Sequence, residues 1–165
     1  MIIINTENAL PSYGVGPYLI IPMVIISVLC VILSFYGFIP IYSFESLNWL
    51  LIVLAIVLII DAAFLWIAAV RISKIDDRIK KGELVTDGVY SLVRHPIYSS
   101  WLQLCTALVL FSQNLLLLVL PIIFWVILSI AMVKTEEKWL IEKFGNDYIL
   151  YCQTTNRFIP FRMSF

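Results

Sequence analysis

The chain has 165 residues, room for one domain, and 62% of them are hydrophobic while 13% are charged, against about 45–50% and about 25% in soluble domains. A water-soluble fold of this size buries only about two-thirds of its surface, so lipid is the solvent that accepts so much apolar area. The formal net charge of zero says little by itself, and the placement of the charges says more.

Residues Met1 to Gly16 contain no Lys or Arg, so they lack the basic start of a secretory signal and the first apolar run is expected to remain as a membrane span. Four such runs follow: 18–39, 47–70, 96–112 and 115–133. Each approaches the roughly 20 residues that cross about 30 Å of hydrocarbon at about 1.5 Å per residue, the third being somewhat short. Pro22 falls in early helical turns, where a missing N–H costs least. Pro121 sits deeper in the fourth run and predicts a kink. Asp61 interrupts the second run about ten residues before Arg71, hence roughly 15 Å deep. It is a functional candidate by position, or else a carboxyl that is protonated or bonded to a Ser, Tyr or Trp across the bundle.

The 11 Lys and Arg avoid the first two runs entirely. Arg71, Lys74, Arg78, Lys80, Lys81 and Arg94 lie between runs two and three, and Lys134, Lys138, Lys143, Arg157 and Arg162 follow run four. The connections 37–46 and 113–114 carry none. By the positive-inside rule both ends and the loop 71–95 are cytoplasmic, which requires an even number of spans. The expected fold is an all-α polytopic membrane protein of four spans, residues 1–165 forming one membrane domain, with a cytoplasmic loop 71–95 and a cytoplasmic C-terminal helix and tail, 134–165. Its place is an integral membrane, the cytoplasmic membrane in a bacterium. Gln113 and Asn114 make a tight hairpin of spans three and four, which brings the loop before span three beside the segment after span four. Cys30, Cys105 and Cys152 are too few and scattered for a disulfide framework or zinc cluster. His95 is the only histidine, so no metal is expected. No nucleic-acid partner is expected either, and the sequence sets no oligomeric state.

Two segments concentrate chemistry. In the first, Gly82 is suited to end a helical extension of span two, residues 86–88 read as a turn, and 89–98 gather two Tyr, an Arg, the histidine and a proline. Pro96 suits a first helical turn while His95, before proline, is biased to extended geometry, and nearby backbone N–H groups can receive an anion. Interface anchoring by Arg and Tyr is the alternative. In the second, Glu136 and Glu137 sit just past span four, where a carboxylate can hold ribose hydroxyls or an ammonium, or can form simple Glu–Lys pairs on a solvated helix. Leu140, Phe144 and Tyr148 extend an apolar stripe that Gly145 can interrupt.

Leu84, Val85, Thr86, Gly88, Val89 and Tyr90, then Arg94, His95, Pro96 and Tyr98, then a helical hairpin, then Glu136, Glu137, Phe144, Gly145, Tyr148, Tyr151 and Pro160 together resemble one family. They are similar to the isoprenylcysteine carboxyl methyltransferases and their bacterial relatives, which also resemble the phospholipid N-methyltransferases. The resemblance covers about residues 70–161; spans one and two match only as generic membrane helices. It implies an S-adenosylmethionine-dependent methyltransferase, acting on oxygen, with a cytoplasmic cofactor pocket built by the loop before span three and the helix after span four. A tunnel between the helices would admit a lipophilic small molecule or lipid from the bilayer. The implied cofactor contacts are Leu84, Val85, Tyr90, His95, Pro96, Ile97, Tyr98 and Glu136, with Glu137 sharing the role. Arg94, Lys134 and Asp61 are candidates for contact with the acceptor, and no residue is assigned as catalytic base. One departure matters: the eukaryotic enzymes carry an acceptor-facing Arg one turn before the first Glu, where this chain has Met132. A methionine cannot grip a carboxylate in two-pronged fashion, which separates the acceptor question from the cofactor site. The alternatives are phospholipid N-methylation, an NADPH-dependent reductase resembling the membrane sterol reductases, and a non-enzymatic membrane scaffold. A 2′-phosphate favours a basic cluster, so the Glu136–Glu137 doublet argues against the reductase.

Overall fold

In a computed structural model of the chain the described residues are 15–43, 45–73 and 75–160. Expectations that fall on 1–14, Lys74 and 161–165, Arg162 included, lie outside them. All the regular elements among the described residues are helical.

The apolar runs become helices whose ends are set by proline and glycine. Helix α1, Gly16–Phe35, begins with Pro17 in its first turn, contains Pro22 and closes at Gly37. Gly37 takes φ +78°, and Phe38 N–H donates to Leu33 O at 2.9 Å, the glycine-terminated closure that satisfies last-turn carbonyls. That closure ends the helix four residues before the expected 39. A 3₁₀ turn at Glu45–Leu47 leads into α2, Asn48–Ile67, which continues as a π-helical turn over Ala68–Ile72. Helix α3, Ile75–Lys80, ends as expected at Gly82, φ +72°, with Glu83 N–H donating to Arg78 O at 3.0 Å. Helix α4, Pro96–Phe111, opens on its proline. Gln113, at φ +54°, turns the chain, and a 3₁₀ turn Leu115–Leu118 starts α5, Val119–Lys134. Pro121 therefore lies in the first turn of α5, just after the 3₁₀ turn, where a missing N–H costs least. The expected C-terminal helix divides into α6, Glu136–Phe144, and α7, Asn146–Thr154, hinged at Gly145, φ +56°.

Three helical stretches, Gly16–Phe35, Glu45–Ile72 and Leu115–Phe144, are long and apolar enough to cross a membrane, and Pro96–Phe111 is a shorter apolar helix. The most extensive pairing is α2 with α4. Ala55 and Ala62 of α2, seven residues apart, are each 0% exposed, and Ala55 packs with Ala107 and Leu110 of α4, small side chains that let two helices approach closely. Contacts at both ends fix directions. Gly16 lies against the Tyr98 ring, while Asn114 Nδ2 donates to Ser34 Oγ at 2.8 Å. Helices α1 and α4 thus run the same way, and α2 and α5 return.

Candidate functional site

The expected meeting of the loop before α4 with the chain after α7 is made by backbone. His95 lies outside the helical region, at φ −124° and ψ 66°, with ψ short of the extended value a residue before proline favours. Val93 bridges Asn156 in parallel fashion, with Arg94 N–H donating to Asn156 O at 2.8 Å and His95 N–H to Arg157 O at 3.1 Å. Side chains complete the clasp. Ser99 Oγ donates to Phe158 O at 2.6 Å, and the Tyr151 hydroxyl donates to Tyr90 O.

The two glutamates face different ways. Glu137, 6% exposed, accepts from Arg94 Nη2 at 2.9 Å, from Arg157 Nε and Nη2, each at 2.8 Å, and lies 3.3 Å from His95 Nε2. The remaining bonds of Arg94 run from Nη1 to Cys152 O, 2.9 Å, and Thr155 O, 2.7 Å. Hydrogen bonding to Glu137 pushes the Arg157 guanidinium above its ordinary value, against burial, so this bidentate pair stays charged at any working pH. Arg157 anchors the tail. Glu136 instead accepts from the Tyr98 hydroxyl and from Val15 N–H, 3.1 Å, through Oε1, and its Oε2 lies 3.7 Å from His95 Nδ1.

Between these groups lies a cavity of about 580 Å³, within the roughly 300–1,000 Å³ of small-molecule sites. Leu84, Val85, Tyr90, Arg94, His95, Pro96, Ile97, Tyr98 and Glu136 all line it. The other expected residues stand elsewhere. Glu137 lies behind the wall, and Lys134 is exposed at the end of α5. Asp61 accepts a 2.8 Å hydrogen bond from Gln103 Nε2 across the α2–α4 seam; it is bonded within the bundle, though to a glutamine. Met132, 0% exposed, packs with Tyr98, Leu128 and Phe158.

Several lining residues were not among the expected cofactor contacts, although the sequence marks Leu140, Phe144 and Tyr148 as an apolar stripe. Trp139, Leu140 and Phe144 join Glu136 on one face of α6, an i, i+3, i+4, i+8 pattern that was available to find them. Tyr148 and Tyr151 come from α7, Trp66 and Val70 from the end of α2, and Trp101 from α4. Gly16, Pro17, Ile20 and Ile21 of α1 had no signal, being generic apolar helix. The wall is acidic at Glu136, aromatic over much of its area and apolar toward α1. Behind that surface Arg94 Nε is buried without a hydrogen-bond partner, and the Tyr148 hydroxyl has only the Cys152 thiol beside it.

Residues 46–147 match the phospholipid methyltransferase family. Over 80 residues the chain is 39% identical to the protein-S-isoprenylcysteine O-methyltransferase of Saccharomyces cerevisiae, which is 47% of this chain and 33% of that protein. The chain thus spans about a third of the length of the curated relative it matches. No solved structure matches it. The family match runs from α2 through α6, across the elements that carry Tyr98 and Glu136, and on that match the chain belongs to the phospholipid methyltransferase family.

Proposed function

We propose that the protein transfers a methyl group from S-adenosylmethionine to a lipophilic acceptor drawn from the bilayer. The observation that carries this reading is one cavity in which Glu136, His95 and Tyr98 meet a largely aromatic and apolar wall. The chain's own residues suit the cofactor. Glu136 is the acceptor for a ribose diol or an ammonium, and His95 is a donor for a carboxylate. Tyr90, Tyr98 and Trp139 offer ring faces to adenine and to a sulfonium, where cation–π attraction operates. When bound, the cofactor supplies a methyl group already activated on sulfur. The protein's tasks are then alignment and exclusion of water. A carboxylate or thiolate acceptor needs no base; an amine or hydroxyl does.

The likeness to an isoprenylcysteine enzyme favours oxygen as the methylated atom. A second reading, methylation of a lipid amine, is favoured by the commitment of Arg94 and Arg157 to Glu137 and by the apolar burial of Met132. Among the described residues, those leave the cavity without a free two-pronged cation for a carboxylate.

The reading also puts four crossings in the membrane and the cavity at the cytoplasmic face. Its support is that α4 runs between the same two levels as α1, from Tyr98 at Gly16 to the turn at Asn114 beside Ser34. Every described Lys and Arg lies from Arg71 onward, away from the connections 37–43 and 113–114.

The deciding experiment incubates membranes with and without the protein with isotopically methyl-labelled S-adenosylmethionine and analyses the lipids by mass spectrometry. Alkali-labile label marks a methyl ester, and alkali-stable label on nitrogen marks an amine. In calorimetry the pure protein should bind S-adenosylmethionine and not NADPH, with Glu136→Gln and Tyr98→Ala at least tenfold weaker. Undiminished affinity in those folded variants would sink the assignment.

A further inference from the structure

Helix α1 lies outside the family-matched residues 46–147, yet its first turn touches the polar centre of the cavity. Val15 N–H donates to Glu136 Oε1 at 3.1 Å. The same oxygen accepts the Tyr98 hydroxyl. A side chain at Gly16 would start 3.4 Å from that hydroxyl and 3.7 Å from its ring carbon. A bare Cβ there would make ordinary contact, and only a larger, branched side chain would crowd Tyr98.

We infer that the first turn of α1 is a positioning element of the site: the Val15 backbone N–H orients the Glu136 carboxylate, and Gly16 seats the helix against Tyr98. This rests on reading the cavity as a cofactor site. Val15 precedes the helix, so its N–H has no partner within α1 and is free to donate outward. An ionised acceptor makes that bond stronger than a neutral pair would, and a carboxylate suits the positive end of a 20-residue helix. With Oε1 holding two donors, Oε2 is the oxygen presented to a ligand, beside His95 Nδ1. Remove the Val15 donor and Glu136 loses one of the two bonds that fix its rotamer. Affinity should fall without loss of the fold.

The test uses the full chain in lipid nanodiscs, with calorimetry of S-adenosylmethionine and thermal unfolding of each variant. Val15→Pro removes the donor, while also exchanging a side chain packed against the core and drawing φ from −91° toward about −65°. Val15→Ala controls for the lost side chain. Val15→Pro should weaken binding at least tenfold, while Val15→Ala, which keeps the donor, should bind at least fivefold more tightly than Val15→Pro. In a Glu136→Ala background Val15→Pro should add less than a twofold loss, because the acceptor of that bond is already gone; a merely structural role would give the full loss again. Should Val15→Pro not fold, Gly16→Val tests the same contact by forcing α1 off Tyr98, with at least fivefold weaker binding expected. A wild-type chain that binds no S-adenosylmethionine overturns the cofactor reading and this inference with it. Wild-type binding with either folded variant within twofold overturns this inference alone.

Discussion

Glu137 adds nothing to the cavity surface, yet Arg94, Arg157 and His95 converge on it. Glu137 and Arg94 side chains are each 9% exposed, so removing one charge strands others in a poorly solvated place. Breaking such a pair costs about 3–5 kcal/mol, far more than a surface bridge contributes. Glu137→Gln should therefore lower unfolding stability in detergent by about that amount, because Gln leaves two guanidiniums uncompensated. A loss below about 1 kcal/mol would mean that solvent already screens the cluster. Arg157→Lys should fall between, since lysine keeps the charge but not the two-pronged geometry. Glu136 behaves differently. It is half-committed, to Tyr98 and Val15, and its substitution should be felt in ligand affinity more than in stability. The adjacent pair thus divides, by a turn of 100° per residue, into one group that holds the wall and one that faces the cavity.

At the scale of elements, two polar devices hold apolar helices in register. The first is Asp61 with Gln103, whose Oε1 remains without a partner. Interhelical hydrogen bonds in membranes contribute about 0.6 kcal/mol on average and about 1.7 at most. Asp61→Leu should cost stability on that order while leaving cofactor affinity unchanged, because Asp61 does not line the cavity; weaker binding would reinstate it as a site residue. The second is Asn114, 1% exposed. Its amide donates to Ser34 Oγ and Pro40 O, and its oxygen accepts from Tyr42 and Leu116 N–H. At about 0.5–1.5 kcal/mol per bond, loss of the four should make Asn114→Ala cost about 2–6 kcal/mol in an unfolding titration. These devices mark what was legible. Helix positions, the Gly82 and Gly145 ends and nine cavity residues followed from local rules: apolar run length, proline, glycine and a matching motif. The π turn at Ala68–Ile72 and the α1 wall did not. One depends on how α2 packs against its neighbours, the other on a contact between residues 121 positions apart, Val15 and Glu136. Local composition carries no trace of either. The Glu137 clasp was half legible: the doublet was visible, but which carboxylate turned inward depended on where Arg157 returned.

For the whole molecule, the two ends of the bundle differ in charge. The cavity end carries Arg71, Arg78, Lys81, Lys134, Lys138, Lys143 and Arg157, whereas the described connections at the other end, tied together by Asn114, carry no Lys or Arg. Membrane insertion retains such basic ends in the cytoplasm. The consequence can be read by labelling single cysteines in a chain whose Cys30, Cys105 and Cys152 are replaced by alanine. Ser43, Lys81 and Lys138 are exposed and serve as probes, whereas Asn114, enclosed by its own hydrogen bonds, would report damage to the turn. In intact cells a membrane-impermeant maleimide should modify Ser43→Cys and spare Lys81→Cys and Lys138→Cys until the membrane is permeabilised. Lys81 follows α2 and Lys138 follows α5, so protection of both requires an even number of crossings between them, the α4–α5 hairpin traversing the bilayer out and back. With about 24 Å of helix in α4 against about 30 Å of hydrocarbon, that crossing is possible only with little tilt or local thinning of the bilayer. Labelling of Lys81→Cys from outside would turn the cavity away from the cytoplasmic cofactor pool. Labelling of Lys138→Cys alone would show that α4 fails to cross.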